Sequence, residues 1–164
     1  MKTLLLTLAL LTAAPLSHAG DGRMRATHVG PEYMSLLDVD TRHTRDGSRY
    51  SAWTSVYLAQ SANDLAQNAN VDYMAVWAEY DCRREGRWRA LTTQMYALNQ
   101  PASPIASDVG NLNPWVTAAP GSSPFYAWGG VCENRFDATD VEHPVTRKRT
   151  EILRRYRASL RDRR

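Results

Sequence analysis

Alternating apolar and polar side chains mark three strands in the middle of the chain. From Tyr50, one face reads Tyr50, Ala52, Thr54, Val56 and Leu58, and the other Ser51, Trp53, Ser55 and Tyr57. A period of two with aromatics on both sides predicts a strand whose two faces are each partly covered. A second strand starts near Asp72, with Met74, Val76, Ala78, Tyr80 and Cys82 set against Tyr73, Ala75, Trp77, Glu79 and Asp81. A third runs from about Arg87 to Ala97, where Trp88, Ala90, Thr92, Gln94 and Tyr96 alternate with Arg89, Leu91, Thr93 and Met95. An earlier strand is predicted over residues 34–40 (MSLLDVD), followed by Arg45-Asp46-Gly47-Ser48, whose Asp-Gly pair favours a tight hairpin. Arg83-Arg84-Glu85-Gly86 is the next turn, with Gly86 free to adopt a positive φ. The small, amide-rich stretch 60–70 (QSANDLAQNAN) is predicted to be a loop. Consecutive strands joined by short turns imply an antiparallel sheet.

The spacing changes after the sheet. Residues 101–124 hold five of the eight prolines, which suits an irregular crossing, with Trp115 pinning it to the sheet. Ser122 or Ser123 as a cap and Pro124 at the first helical position predict a short helix over Phe125–Cys132. Trp128, Val131 and Cys132 then share one face, although Gly129-Gly130 weakens the helix by about 1 kcal/mol per glycine. Beyond Pro144, Ile152, Leu153, Tyr156 and Leu160 recur at helical spacing amid nine Lys and Arg residues. Its apolar stripe is narrow and isolated short helices are marginal in water. The segment 145–164 is therefore a basic amphipathic tail that orders against a partner or against the domain's own surface.

Charge sharpens this division. The whole chain has 20 basic and 17 acidic side chains, net +3, a balance that gives no basis for specific nucleic-acid binding. Residues 20–144 carry 10 basic and 15 acidic side chains, net −5, and residues 145–164 carry 9 and 2, net +7. At the other end, Lys2, the mostly apolar run Leu4–Ala14, Pro15 and Ser17-His18-Ala19 have the order of a signal peptide, residues 1–19, cleaved before Gly20. The run is about half the ~20 residues needed to span a bilayer, so no transmembrane segment is expected in the mature chain. Cys82 is the first cysteine, so no lipid anchor is expected at the cleavage site. The expected destination is the periplasm or the medium. In that oxidising setting the two cysteines, Cys82 and Cys132, are expected to form a disulfide closing a loop of about 50 residues. Without a Cys-x-x-Cys motif, this is a structural link before it is a redox pair.

Three stretches together resemble the bacterial surface-adhesin protein E family. They are Leu36-Leu37-Asp38-Val39-Asp40 followed by Tyr50-Ser51-Ala52-Trp53, a strand ending on Asp81-Cys82 with an Arg-rich turn and Tyr96 beyond, and Asn113-Pro114-Trp115 leading through Pro120-Gly121-Ser122 to Val131-Cys132. The resemblance covers roughly residues 33–132. It implies an α+β fold, an antiparallel sheet of about six strands with a short C-terminal helix tethered to one face by the Cys82–Cys132 disulfide. The basic helical tail follows that domain. The family's namesake binds extracellular-matrix and serum proteins such as vitronectin, laminin and plasminogen and can dimerise. By resemblance, the expected role is a non-enzymatic binding module with a protein or polyanionic ligand, able to form a homodimer.

No motif in the chain points to catalysis or to a cofactor. His28, His43 and His143 lie far apart with no pair at helical metal-ligand spacing, so no metal site is expected. Asp38 with Asp40, and Glu79 with Asp81, are expected to share strand faces, where carboxylate pairs without a cleft more often mark a solvated surface than acid-base chemistry. There is no Gly-x-Ser-x-Gly elbow and no phosphate-cradling glycine loop. The binding candidates inside the domain are Arg83, Arg84, Arg87, Trp88 and Arg89, a basic-aromatic cluster suited to an acidic partner. The same arginines could instead pair with Asp81 and Glu85 on a solvated hairpin. Outside the domain the candidate is the tail, as a solubilising segment or as a binding element for anionic head groups or an acidic partner.

Overall fold

The computed structural model describes residues 23–64, 69–109, 113–138, 143–144 and 149–163. The expected signal peptide lies outside the described residues. Among the described residues, nine strands form one antiparallel sheet: β1 (Arg23–Val29), β2 (Tyr33–Asp38), β3 (His43–Thr44), β4 (Arg49–Asp64), β5 (Ala69–Asp81), β6 (Arg87–Tyr96), β7 (Ala106–Val109), β8 (Val116–Thr117) and β9 (His143–Pro144). The main path runs β7-β6-β5-β4-β2-β1-β9, with β3 paired to β4 and β8 to β6. The count exceeds about six because β3, β7, β8 and β9 are only two to four residues long and extend the sheet's margins. The α-helices among the described residues, α1 (Ser123–Glu133) and α2 (Arg149–Arg161), complete the α+β fold.

The helices lie on opposite faces. Leu37, Ala52, Ala78 and Tyr80 pack with Ala127, Trp128 and Val131 of α1. Leu36, Tyr57, Tyr73 and Tyr96 pack with Ile152, Leu153 and Tyr156 of α2. Adjacent Leu36 and Leu37 thus serve different layers, the expected result of strand alternation when both faces are covered. In the α2 layer, Tyr73 stacks on Tyr96 with centroids 4.7 Å apart and faces Tyr57 at 5.7 Å. This explains the aromatics on both sides of the central strands. The C-terminal segment orders against the domain's own surface, its apolar stripe being the cover of a tyrosine-rich sheet face.

α1 is fixed by other means. Ser122 is its extended N-cap residue but makes no side-chain capping bond, and the helix begins at Ser123, one residue before Pro124. One of its two glycines, Gly130, is required by packing. A Cβ on Gly130 would lie 2.6 Å from Thr27 Cγ2 and 3.3 Å from Leu37 Cδ2, so the helix reaches β1 and β2 only with glycine there. The Cys82–Cys132 disulfide links its last turn to the end of β5, with Cα atoms 5.2 Å apart. Trp128 Nε1 donates to the Asp81 carbonyl at 3.2 Å.

Three expectations need correction. Glu79 and Asp81 lie on a buried face rather than a solvated one, at 2% and 8% exposed. Most of the stretch 60–70 is strand, because β4 continues to Asp64 and β5 begins at Ala69, with Ala62 opposite Val71 and Asn63 opposite Asn70. Small polar side chains suit a solvent-exposed hairpin arm as well as a loop, and the backbone ladder decides between them; residues 65–68 lie outside the described residues. Asp38 and Asp40 do not share a strand face, because β2 stops at Asp38 and a 3-10 turn, Val39–Thr41, follows. Asp38 Oδ1 accepts from the Asp40 N–H at 3.2 Å, the local bond by which aspartate ends a strand.

Candidate binding surface

The β5–β6 turn and the β3–β4 hairpin lie at the same end of the sheet, where Arg49 pairs with Asp81 in the strand register. Gly86 makes the first turn possible. Its φ is +64°, and a Cβ there would stand 3.1 Å from the Ala118 carbonyl; the Gly86 carbonyl accepts from Ala118 N–H at 2.9 Å. Gly47 takes φ +76° in the other hairpin, where Asp46 Oδ1 accepts from the Ser48 and Arg49 N–H groups.

Strand alternation divides the sequence-predicted cluster. Trp88 faces α1, packing with that core layer. It also lines a largely apolar cavity of about 230 Å³ with Val56, Met74, Val76 and Tyr80. Arg89 faces the opposite side, where its Nε and Nη2 reach Glu79 Oε2 at 2.7 and 2.6 Å. Arg45, from the β3–β4 hairpin, binds the other oxygen of Glu79. Glu79 is 2% exposed, so a buried carboxylate holds two guanidinium groups in place. Arg89 and Arg49 also lie over the Trp115 ring, 5.0 and 5.8 Å from its centroid. Trp115 therefore does pin the proline-rich crossing to the sheet, by cation-π contact.

Asp81 repeats the pattern at the turn. Arg83 donates to it through its backbone N–H at 3.2 Å and through Nε at 3.1 Å. Burial works to raise the Asp81 pKa, but these bonds and the charges of Arg83 and Arg49 outweigh it and hold the carboxyl below the usual range. Arg84 is exposed and Arg87 half-buried, and neither forms an ion pair among the described residues. Of the five predicted residues, four arginines thus lie at one end of the sheet while Trp88 is turned away. Arg45, Arg49 and Trp115 join the site without having been predicted. The alternation already assigned Trp88 and Arg89 to opposite faces; Trp115 is expected against the sheet but not at these arginines, and the approach of Arg45 has no local sequence signal.

Guanidinium groups ordered in this way keep N–H donors facing solvent while the underlying carboxylate fixes their orientation. The arrangement can bind carboxylates, sulfates or phosphates. The other titratable residues do not converge on it. His28 stacks on Tyr126 at 4.2 Å, and burial lowers its pKa against the opposing pull of Asp137. His43 is exposed on β3, and the His143 side chain lies outside the described residues. Asp40 accepts from the Arg23 N–H at 2.8 Å. Among the described residues no group of three or more His, Cys, Asp or Glu is placed to hold a metal ion, and no helix is long and apolar enough to cross a membrane. The disulfide is consistent with a location outside the cytoplasm.

In comparisons with known proteins, no family model matches the chain and no curated protein matches its sequence.

Proposed function

We propose that this chain is an exported, non-enzymatic binding module, similar in kind to surface-adhesin protein E, that takes an acidic protein or polyanionic ligand at the arginine-rich end of its sheet. The observation that carries the reading is the pair Arg45 and Arg89 held on buried Glu79, with Arg49 and Trp115 beside them. Ordering those side chains before the ligand arrives lowers the entropy cost of binding. Arg84 and Arg87 extend the same charge around the turn, while Arg83 is paired with Asp81. Export rests on residues 1–19, and the intact mass of the secreted product should begin at Gly20.

The test is binding to immobilised heparin and to a panel of matrix proteins, comparing wild type with Arg84→Gln/Arg87→Gln and with Arg45→Gln. Affinity should fall severalfold in each variant and should weaken steeply with salt. Binding that ignores both the substitutions and the salt would remove this surface from the proposal. Absence of binding to the whole panel would remove the adhesin-like reading.

A second reading is favoured by Arg154 and Arg161, which are exposed while the apolar stripe of α2 is buried. Those arginines would dock electrostatically on anionic membrane or cell-wall polymer, without inserting the helix. Arg154→Gln/Arg161→Gln should then abolish association with anionic vesicles, whereas unchanged association would exclude this face.

A further inference from the structure

The opposite end of the sheet holds a second basic feature of different character. A cavity of about 460 Å³ opens between the last turns of α2, the turn after β1 and the middle of β4. That volume lies in the ~300–1,000 Å³ range of small-ligand sites. Val29, Pro31, Ala59 and Leu160 supply apolar wall, and Arg157, Arg161 and Arg163 supply charge. The walls are fixed. Tyr156 Oη donates to the Gly30 carbonyl at 2.7 Å and Arg157 Nε to the Leu58 carbonyl at 3.0 Å. Arg157 is already neutralised by buried Asp72 at 2.8 Å, so the net charge of the cavity comes from Arg161 and Arg163. Neither of these has an ion-pair partner among the described residues, and Asp162, between them in sequence, is not part of the lining. The carbonyl end of α2 opposes an anion by a fraction of a charge, less than two full guanidinium charges offer.

We propose that this cavity binds a single-chain anionic amphiphile from solution, its phosphate or carboxylate head on Arg161 and Arg163 and its alkyl chain along Val29, Pro31, Ala59 and Leu160. The combination selects against two simpler ligands. An inorganic anion leaves the apolar wall wet, and a neutral alkyl chain leaves both arginines unpaired. Each methylene buried should tighten binding by up to about fourfold, until the cavity is full.

The experiment is calorimetric titration of the oxidised chain with hexyl, octyl and decyl phosphate below their micelle concentrations. Inorganic phosphate and decyl maltoside serve as controls, and amide shifts locate the site. Affinity should rise with chain length, exceed that for inorganic phosphate and for decyl maltoside at least tenfold, and perturb Val29, Ala59 and Leu160. Arg161→Gln/Arg163→Gln should lose at least tenfold with an unchanged melting temperature, and Leu160→Gln should flatten the chain-length series. Decyl phosphate binding no better than inorganic phosphate would overturn the proposal, as would full affinity in the double glutamine variant. Binding to anionic vesicles that decyl phosphate fails to compete would also overturn it, in favour of a membrane surface.

Discussion

The two helices cover the two faces of one sheet by opposite strategies. α1 is short, carries two glycines in its interior, and is joined covalently to the sheet through Cys82–Cys132. α2 is strongly amphipathic and arginine-rich, has no covalent link to the sheet, and is held by Ile152, Leu153 and Tyr156 together with Arg157 on Asp72. The helix that looks weak by propensity is locked by chemistry, and the helix that looks like a detachable tail closes half of the core. Charge is therefore a poor guide to which segment can be removed. The arginines of α2 occupy its solvent side and its rim, and the few apolar positions carry the packing.

The largest expected effect comes from breaking the α2 side. Deleting residues 149–163 should abolish cooperative unfolding altogether, because Tyr57, Tyr73 and Tyr96 lose their cover. Leu153→Ala, at a fully buried position, should cost about 2–5 kcal/mol in urea denaturation. A deletion variant that melts like wild type would reverse the comparison. Such a deletion is also an unsuitable test of electrostatic binding, since it removes core and charge together; glutamine substitutions on the exposed arginines separate the two.

Next is the covalent side. Replacing both cysteines by alanine opens a loop with a sequence separation of 50 and should cost about 4 kcal/mol on the chain-entropy model, with the α2 layer remaining folded. Free-thiol labelling of the non-reduced protein should find no reactive cysteine beforehand.

Arg157→Met should cost about 3 kcal/mol, chiefly because Asp72 is then left buried with its charge uncompensated. The same carboxylate sets an acid limit. Burial disfavours the Asp72 charge, but hydrogen bonds from Ser61, the Leu98 N–H and Arg157 outweigh this and hold its pKa below the usual value. A folded pKa lower than the unfolded value of about 3.9 gives stability that is complete above that pH. It is lost as the pH falls through the folded value. Wild type should therefore lose stability relative to Asp72→Asn in acid titrations below about pH 4, and parallel curves for the two proteins would show that Asp72 is not the linked group. The smallest effect in the series is Gly130→Ala, about 1–3 kcal/mol from overpacking against Thr27 and Leu37. A stabilised variant would show that α1, β1 and β2 leave room for the added methyl group.

Much of this architecture was legible because it is local. The alternation from Tyr50, Asp72 and Arg87, the Asp46-Gly47 turn and the Ser122-Pro124 helix start each follow from a few consecutive residues. β1 carries no clean period of two because a bulge between Ala26 and His28 breaks its alternation, leaving Met24, Ala26 and Thr27 buried out of phase. The hairpin arm beyond Gln60 has the composition of a loop because composition reports exposure better than it reports hydrogen bonding. The binding surface was half legible. Arg83 to Arg89 are contiguous and visible, whereas Arg45 meets Glu79 across 34 positions and no short window contains both. The placement of α2 was undetermined for a similar reason. Its stripe of Ile152, Leu153 and Tyr156 shows that a partner surface exists, and only the sheet shows which.

Native-state hydrogen exchange on the intact, oxidised chain shows whether α2 is an integral layer of the domain. If α2 closes the core, the amides of Ile152, Leu153 and Tyr156 should exchange only through global unfolding, with the same opening free energy as Tyr57 and Tyr73 in the sheet. Exchange of α2 through a local opening of much lower free energy, with the sheet still protected, would contradict it.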